Sequence, residues 1–223
     1  MFITKKSIIG IIKLAGIIST ESRLGSRGGL NLNDLSDSIT KAFSFKNMKA
    51  IVLLVNSPGG SPVQSALIAN RIRDLAKEKE IPVYCFIEDL AASGGYWLSC
   101  AGDKIYAMES SIIGSIGVIT SGFGAVEAIK KIGIERRVYS QGKNKGLLDP
   151  FLPEKKDDVK QILTIQKDLH SQFIAWVKKR RGKRLKANDE VLFNAGVWSG
   201  SKAKDLGLID GIGDYYNVMK NIF

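Results

Sequence analysis

Two apolar runs, each ended by a glycine-containing turn and followed by a helical pattern, constrain the fold of this chain most strongly. Residues 51–55 form the first run, which ends in Asn-Ser-Pro-Gly-Gly at 56–60, and the second run, 82–87, leads into Ala-Ala-Ser-Gly-Gly at 91–95. Short continuous apolar runs bounded by such turns are typical of fully buried strands. The alternation of buried strands with helices predicts an α/β fold.

The same alternation continues along the rest of the chain. We predict a first strand within residues 7–18, further strands at 51–55, 82–87, 104–108, 112–119 and 134–139, and helices at 62–77, 93–101, 123–132, 154–180, 188–194 and from 214. The 223 residues, 44% hydrophobic and 25% charged, predict one compact domain over residues 1–223. No low-complexity segment or clear linker interrupts the sequence.

Ser93 is the candidate nucleophile, because it lies among alanines and glycines that are too small to shield it. A serine at a transition from strand to helix has an exposed Oγ, and the N–H groups that follow it point toward the atom under attack. The glycines at 59 and 60 also leave N–H groups open for an anion or a developing oxyanion. The alternative is structural, since small residues also allow a helix to pack closely on a sheet.

A serine nucleophile needs a base, and the residues leave two kinds of base open. The single histidine, His170, lies in a long amphipathic pattern that offers no local support for a catalytic triad. A lysine whose amine is kept neutral can also activate a serine. Most lysines lie in charge-rich surface stretches, whereas Lys143 and Lys145 lie in the segment 141–151, which contains an apolar leucine pair.

Four motifs together carry a specific resemblance to a known family. They are Asn-Ser-Pro-Gly-Gly at 56–60, Ala-Ala-Ser-Gly-Gly-Tyr at 91–96, Gly-Ser-Ile-Gly-Val at 114–118, and Gly-x-x-Lys before Pro-Phe at 142–151. By these motifs the chain resembles the signal peptide peptidase A (protease IV) family of Ser-Lys serine proteases. The resemblance implies an α/β fold of the ClpP and crotonase type, built from repeated strand-strand-helix units.

The resemblance also implies a role for each matched residue. Ser93 would be the nucleophile, Lys145 the general base, and Ser115 the hydroxyl that orients the lysine amine. The N–H groups of Gly60 and Gly94 would form the oxyanion hole.

The choice between the two lysines also rests on the resemblance. The family places its catalytic lysine third after the glycine of the last motif, which selects Lys145 over Lys143. Three other serines match no motif and are predicted to be structural: Ser57, Ser99 and Ser111. The resemblance implies no cofactor, and nothing in the sequence indicates a metal site.

Partners follow from the same resemblance. In the family, single-domain members build each site between neighbouring protomers, one supplying the serine and the other the lysine. We therefore expect a ring-like homo-oligomer that acts on a peptide or on unfolded protein.

Charge and apolar segments bear on location. The formal net charge is +11, and the basic run 178–186 has no interleaved aromatic residue. A peripheral contact with anionic lipid is therefore a better interpretation than specific binding of nucleic acid. The apolar stretch 7–18 contains Lys13 and is too short to span a bilayer. We therefore expect either a cytoplasmic or peripherally membrane-associated protein, or a membrane anchor that lies outside this sequence. Cys85 and Cys100 are predicted to be reduced core residues.

Three classes of function remain open at this point. The first is a Ser-Lys endopeptidase that hydrolyses hydrophobic peptides, such as cleaved signal peptides or misfolded protein segments. The second is a crotonase-like acyl-CoA enzyme that uses the same oxyanion geometry without a serine nucleophile. The third is a scaffold that binds peptides without catalysis. The pairing of Ser93 with Lys145 favours the endopeptidase.

Overall fold

A computed structural model describes residues 8–20, 29–142 and 145–223. These residues form two compact units. The first unit takes in the described residues up to Gly117 together with Phe173–Phe223, and the second is Val118–Gln172. The expectation of one domain over residues 1–223 stays a prediction.

The first unit contains a seven-stranded, mostly parallel sheet. Its strands in chain order are β1 (Ile8–Ala15), β2 (Met48–Ser57), β3 (Val83–Ala92), β4 (Lys104–Ala107), β5 (Ile112–Gly114), β6 (Val197–Ser199) and β7 (Gly211–Ile212). The spatial order is β1-β2-β3-β4-β7, and β5 continues the sheet beside the last residues of β3. Only the pairing of β5 with β6 is antiparallel among these strands.

Helices lie between many of these strands along the chain. They are α1 (Leu32–Ser44), α2 (Pro62–Glu78), α3 (Gly94–Ser99), α4 (Val126–Lys131), α5 (Lys156–Arg181), α6 (Asp189–Leu192), α7 (Gly200–Asp205) and α8 (Tyr215–Ile222). The second unit contains α4 and the first part of α5, and the rest of α5 belongs to the first unit.

The strand β2 explains why the sheet is buried on both faces. Successive side chains of a strand point to opposite faces. Ile51, Leu53 and Val55 therefore belong to the main core, whereas Ala50, Val52 and Leu54 belong to a smaller cluster completed by Phe86 and Met219. This arrangement confirms the continuous apolar run as a buried central strand and places α8 on the second face.

Most predicted elements are present, with shifted ends, and one is wrong. Residues 134–139 form no strand; Ile134, Val138 and Tyr139 are exposed there. A strand needs a neighbouring strand to satisfy its backbone groups, and the described part of the second unit contains none. The predicted strand at 112–119 ends at Gly114, and the helix predicted at 123–132 covers only 126–131. Sequence reasoning missed α1, α7, β6 and β7.

Not all of the basic side chains in the run 178–186 are available at the surface, although the composition of the run indicates an exposed basic segment. Arg181 is only 2% exposed, and its guanidinium contacts the Asp210 carboxylate at 2.7 Å and the Gly207 carbonyl. Arg180 and Arg184 also point inward, toward backbone carbonyls at the end of α3 and to Asp210. The arginines of this run therefore hold the fold together, and its lysines remain at the surface.

Both cysteines are buried free thiols, as predicted. Burial raises the pKa of Cys85 to about 12 and that of Cys100 to about 11, so both stay protonated at neutral pH. Within the described ranges, every helix is too short or too polar to cross a bilayer.

Candidate active site

Ser93 lies at the junction of β3 and α3, in a strained backbone conformation. Its φ is 50°, a left-handed value that is uncommon outside glycine. The Ser93 N–H donates to the Gly114 carbonyl at 2.9 Å, and the Ser93 carbonyl accepts the N–H groups of Tyr96 and Trp97. Its half-buried side chain makes no hydrogen bond to any described residue, so the Oγ is free to act on a ligand.

The glycine turn after β2 packs directly against Ser93. The Ser57 Oγ donates to the Gly16 carbonyl at 2.6 Å and accepts the Gly59 N–H at 3.1 Å, which holds the turn in place. A Cβ built on Gly59 would lie 2.8 Å from the Ser93 Cβ and 2.7 Å from the Gly94 nitrogen. Only glycine fits at position 59, because both the close approach and its φ of 100° exclude a side chain.

Gly60 and Gly94 supply two N–H groups in this region. Gly94 is the first residue of α3, where N–H groups have no partner within the helix. Across the residues that the structure describes, neither the Gly60 nor the Gly94 N–H is bonded to an acceptor. Unpaired backbone donors beside a serine are what a developing oxyanion requires.

Ser115 follows the end of the neighbouring strand β5, just as Ser93 follows the end of β3. β3 and β5 run parallel with Ala92 opposite Gly114, so Ser93 and Ser115 follow directly after the same pair. Ser115 also has a left-handed φ, 51°, and its N–H donates to the Gly196 carbonyl at 2.7 Å. The register of two parallel strands therefore places both hydroxyl-bearing residues at one edge of the sheet.

The end of α5 anchors the helix that follows Ser93. The Trp176 Nε1 donates to the Trp97 carbonyl at 3.0 Å, and the Arg180 Nε donates to the Cys100 carbonyl at 2.8 Å. Arg180 also forms an ion pair with Asp103 at 3.0 Å. These contacts satisfy carbonyls at the C-terminal end of α3, which would otherwise lack partners.

Asp103 is held in its charged form by this network. Burial acts to raise the pKa of Asp103, but the Val83 N–H and the guanidinium groups of Arg73 and Arg180 outweigh it and lower the pKa. The carboxylate bridges the two arginines, with Arg73 at 2.8 Å. The Asp103 carboxylate, which helps to anchor the C-terminal end of α3 through Arg180, therefore remains ionised well into the acid range.

Lys145 belongs to the second unit, where its side chain is exposed. Its N–H donates to the Gly142 carbonyl at 3.2 Å. Further along the loop, the Leu148 N–H donates to Asp158 in the first turn of α5, and Asp149 pairs with Arg136 at 3.0 Å. The rival Lys143 lies outside the described residues.

The predicted site residues thus fall into two groups. The first unit brings together Ser93, Gly94, Gly60 and Ser115, whereas Lys145 and the alternative base His170 belong to the second unit. The predicted structural serines are buried, and each Oγ donates to a backbone carbonyl: Ser57, Ser99 and Ser111. Sequence reasoning assigned open N–H groups to the glycines at 59 and 60, but it did not predict the close approach of Gly59 to Ser93.

This mostly parallel sheet, with serine and glycine turns at the strand ends, defines a fold of the ClpP type. Comparison with solved structures supports the class. The 1510-N membrane-bound stomatin-specific protease, solved as a mutant, superposes with a TM-score of 0.59 at 18% identity, over 97% of this chain and 84% of that one.

The sequence model of peptidase family S49 matches residues 75–222. The chain therefore belongs to peptidase family S49, which confirms the resemblance drawn from the four motifs.

Three relatives of this chain are longer than the chain itself. A Brucella melitensis protein named Na(+)/H(+) antiporter NhaA is 46% identical over 215 residues, covering 96% of this chain and 29% of that protein. A signal peptide peptidase SppA of Enterococcus faecium is 34% identical, covering 95% and 60%. Protease 4 of Haemophilus influenzae is also 34% identical, covering 93% and 33%. The chain thus spans less than two thirds of each of these relatives.

Proposed function

We propose that this chain is a serine endopeptidase with a Ser-Lys dyad, in which Ser93 is the nucleophile and Lys145 the general base. The observation that carries the proposal is the free Ser93 Oγ beside the unpaired N–H groups of Gly60 and Gly94. Membership of a peptidase family and relatives named signal peptide peptidase and protease 4 support the same chemistry.

The reaction follows from the groups present. The Ser93 Oγ attacks the carbonyl carbon of a peptide bond while the neutral amine of Lys145 accepts its proton. The Gly60 and Gly94 N–H groups stabilise the oxyanion of the tetrahedral intermediate. The proton then passes to the leaving amine, and water hydrolyses the acyl-enzyme through the same steps. Ser115 holds the lysine amine in place through its hydroxyl.

The proposed substrates are hydrophobic peptides, such as cleaved signal peptides or misfolded protein segments. The name of the Enterococcus relative supports the first of these. We also propose a ring-like homo-oligomer with sites between protomers, in which one protomer supplies Ser93 and its neighbour supplies Lys145. The second unit exposes large apolar side chains that a neighbouring protomer would cover: Ile119, Phe123, Ile132 and Tyr139.

Anionic lipid is proposed as a peripheral contact, with no specific role for nucleic acid. The lysines of the run 178–186 are the exposed cations that support it, since each arginine of the run donates to backbone carbonyls of the first unit. A lysine near an anionic surface is worth about 1 kcal/mol, so the contact would be weak and dependent on salt.

A fluorophosphonate probe tests the nucleophile directly. We expect the probe to label the wild-type chain at Ser93 and to block peptide hydrolysis, with no labelling of Ser93→Ala. Ser201→Ala, which removes an exposed serine of α7, is the matched control and should label normally. Turnover of an acyl-CoA without labelling would favour the crotonase-like alternative, and absence of both activities would favour a scaffold.

A further inference from the structure

An aromatic groove of about 580 Å³ lies in the first unit, on the sheet face that α8 covers. Phe86 and Tyr215 form its base, with their rings edge to face at 6.4 Å. Tyr216 stands at the rim with its ring 3.9 Å from that of Tyr215, and 71% of Tyr216 is exposed. This arrangement leaves a broad aromatic surface open to solvent.

Apolar side chains continue the groove toward the strand that precedes Ser115. Met108 and Ile112 line this part and are 47% and 48% exposed. Ile112 pairs with Leu90, and two residues later Gly114 accepts the N–H of Ser93. With a rise of about 3.3 Å per residue, the groove begins roughly 7 Å along β5 from this bond. A bound peptide could therefore extend from the groove to the nucleophile.

The rim of the groove is acidic although the chain as a whole is strongly basic. Glu88, Asp89 and Asp214 line it, and none of them forms an ion pair with a described lysine or arginine. Asp89 accepts a hydrogen bond from the Asn56 amide. Asp214 caps α8, and its bond from the Asn217 N–H lowers the pKa of its carboxyl group. The lining holds these three carboxylates and no lysine or arginine, in a chain with 33 basic and 22 acidic residues.

The aromatic base of the groove lies within the field of these carboxylates. An interaction with the Tyr216 hydroxyl, then burial and the charges of Glu88 and Asp214, raise the pKa of Tyr215 to about 12. The Tyr215 hydroxyl therefore stays neutral at any physiological pH. Neutral aromatic faces beside carboxylates are a suitable environment for a lysine or arginine side chain.

We propose that this groove binds the basic flank of an apolar peptide substrate. A lysine or arginine would lie over Tyr215 and Tyr216 beside Glu88 and Asp214, while the adjoining apolar residues contact Met108 and Ile112. A positive flank next to an apolar run is the composition of the N-terminal part of secretory signal peptides. The inference rests on the proposed peptidase function for the fate of the peptide, but binding itself requires no catalysis.

Binding is therefore measured in a Ser93→Ala background, by fluorescence anisotropy of labelled peptides. One peptide carries lysines before a run of leucine and alanine, and its matched partner carries glutamines in place of the lysines. We expect the lysine peptide to bind about fivefold more tightly at low salt, since exposed ion pairs are each worth a fraction of a kcal/mol. High salt should remove most of the difference.

The groove variant combines Glu88→Gln with Asp214→Asn, which removes two charges and keeps the cap of α8, because asparagine caps helices well. Asp37→Asn with Glu190→Gln removes two exposed carboxylates outside the groove and serves as the matched control. The groove variant should bind both peptides equally, and the control should keep the fivefold preference. Tyr216→Ser should weaken binding of both peptides, because it removes aromatic surface.

Three results would overturn the inference. They are equal binding of the two peptides by the parent chain, a preference that persists in the groove variant, and a groove variant that loses the preference while its oligomer falls to a smaller mass. The last result would place the groove between copies of the chain. Failure of the proposed function is a separate outcome: the parent with Ser93 intact would hydrolyse neither peptide, whatever the binding results.

Discussion

Ser93 and Ser115 lie side by side because each follows the last paired residue of two parallel strands. Their φ values are 50° and 51°, and the Ser93 N–H donates to the carbonyl of Gly114, the residue before Ser115, at 2.9 Å. Such left-handed conformations cost of order 1–3 kcal/mol each and persist where the surrounding structure imposes them. The sheet thus holds two hydroxyls at one edge at the expense of local strain.

Loss of either member of the proposed dyad should abolish peptide hydrolysis. Ser93→Ala and Lys145→Ala should each cost about as much activity as the double variant, because nucleophile and base act as a unit. Circular dichroism should show an unchanged fold. His170→Ala is the control and should retain nearly full activity. Activity in Lys145→Ala together with an inactive His170→Ala would refute the Ser-Lys assignment.

The rate of acylation should rise from acid to alkaline pH. The base must be neutral to accept the serine proton, so deprotonation of a lysine increases the active fraction. Lys145→Arg should be inactive across the range, because arginine keeps its charge at any usable pH. Burst-phase kinetics with an ester substrate would measure this step, and an active arginine variant would exclude lysine as the base.

Gly59→Ala should lower the proposed peptidase activity more than its backbone strain alone predicts. The added Cβ would lie 2.7 Å from the Gly94 nitrogen and 2.8 Å from the Ser93 Cβ, so the turn or the nucleophile must move. A displacement near 1 Å at a catalytic group can cost about a hundredfold in rate.

Gly16→Ala is the matched control for this change. Gly16 has nearly the same φ, 107°, and no atom lies within 4 Å of its added Cβ. Both variants should lose about 1 kcal/mol of stability from the left-handed backbone, but only Gly59→Ala should lose labelling by the fluorophosphonate probe. Equal labelling of the two would show that the close approach has no catalytic consequence.

Asp210→Asn should destabilise the fold by about 3 kcal/mol, because it leaves the buried Arg181 guanidinium without its ionic partner. Arg181 contacts Asp210 at 2.7 Å, and Arg184 contacts the other carboxylate oxygen at 3.2 Å. Urea unfolding at neutral pH would measure the loss. Asp205→Asn is the control: Asp205 is exposed, and its substitution should leave the free energy of unfolding almost unchanged.

The Asp210 carboxylate should also make the free energy of unfolding fall at acid pH. Burial acts to raise the pKa of Asp210, but Arg181, the Ile105 N–H and Arg184 outweigh it, and the folded pKa lies below the ordinary value. Its contribution is therefore complete above the unfolded pKa, near 3.9, and is lost as pH falls through the folded value. Asp210→Asn should show a smaller loss of stability over this acid range than the wild type.

Mixing inactive protomers should restore activity if each site lies between neighbours. Ser93→Ala and Lys145→Ala chains, when co-expressed, would form some sites with an intact serine and an intact lysine. Heterologous contacts of this kind close into rings, so native mass measurement should show mixed oligomers. Mixed oligomers without activity above either parent would mean that both residues come from one chain.

The local sequence predicted the buried strands and the site motifs more accurately than it predicted where the helices and strands end. The run at 51–55 is the centre of β2, and the predicted glycine turn follows the end of this strand. The strand expected at 134–139 is absent, because apolar alternation indicates a strand only if a partner strand is available. The arginines at 180, 181 and 184 read as a solvated basic run, although distant carbonyls and Asp210 bind them.

By itself the sequence determined the α/β class, the family and the identity of the candidate residues. These depend on burial patterns, turn chemistry and motifs that adjacent residues carry. Only the tertiary structure decided that β5 lies beside β3, that Gly59 approaches Ser93, and that the acidic groove forms beside α8. Such relationships join residues far apart in the chain, and they are set by strand register and packing, which no local pattern encodes.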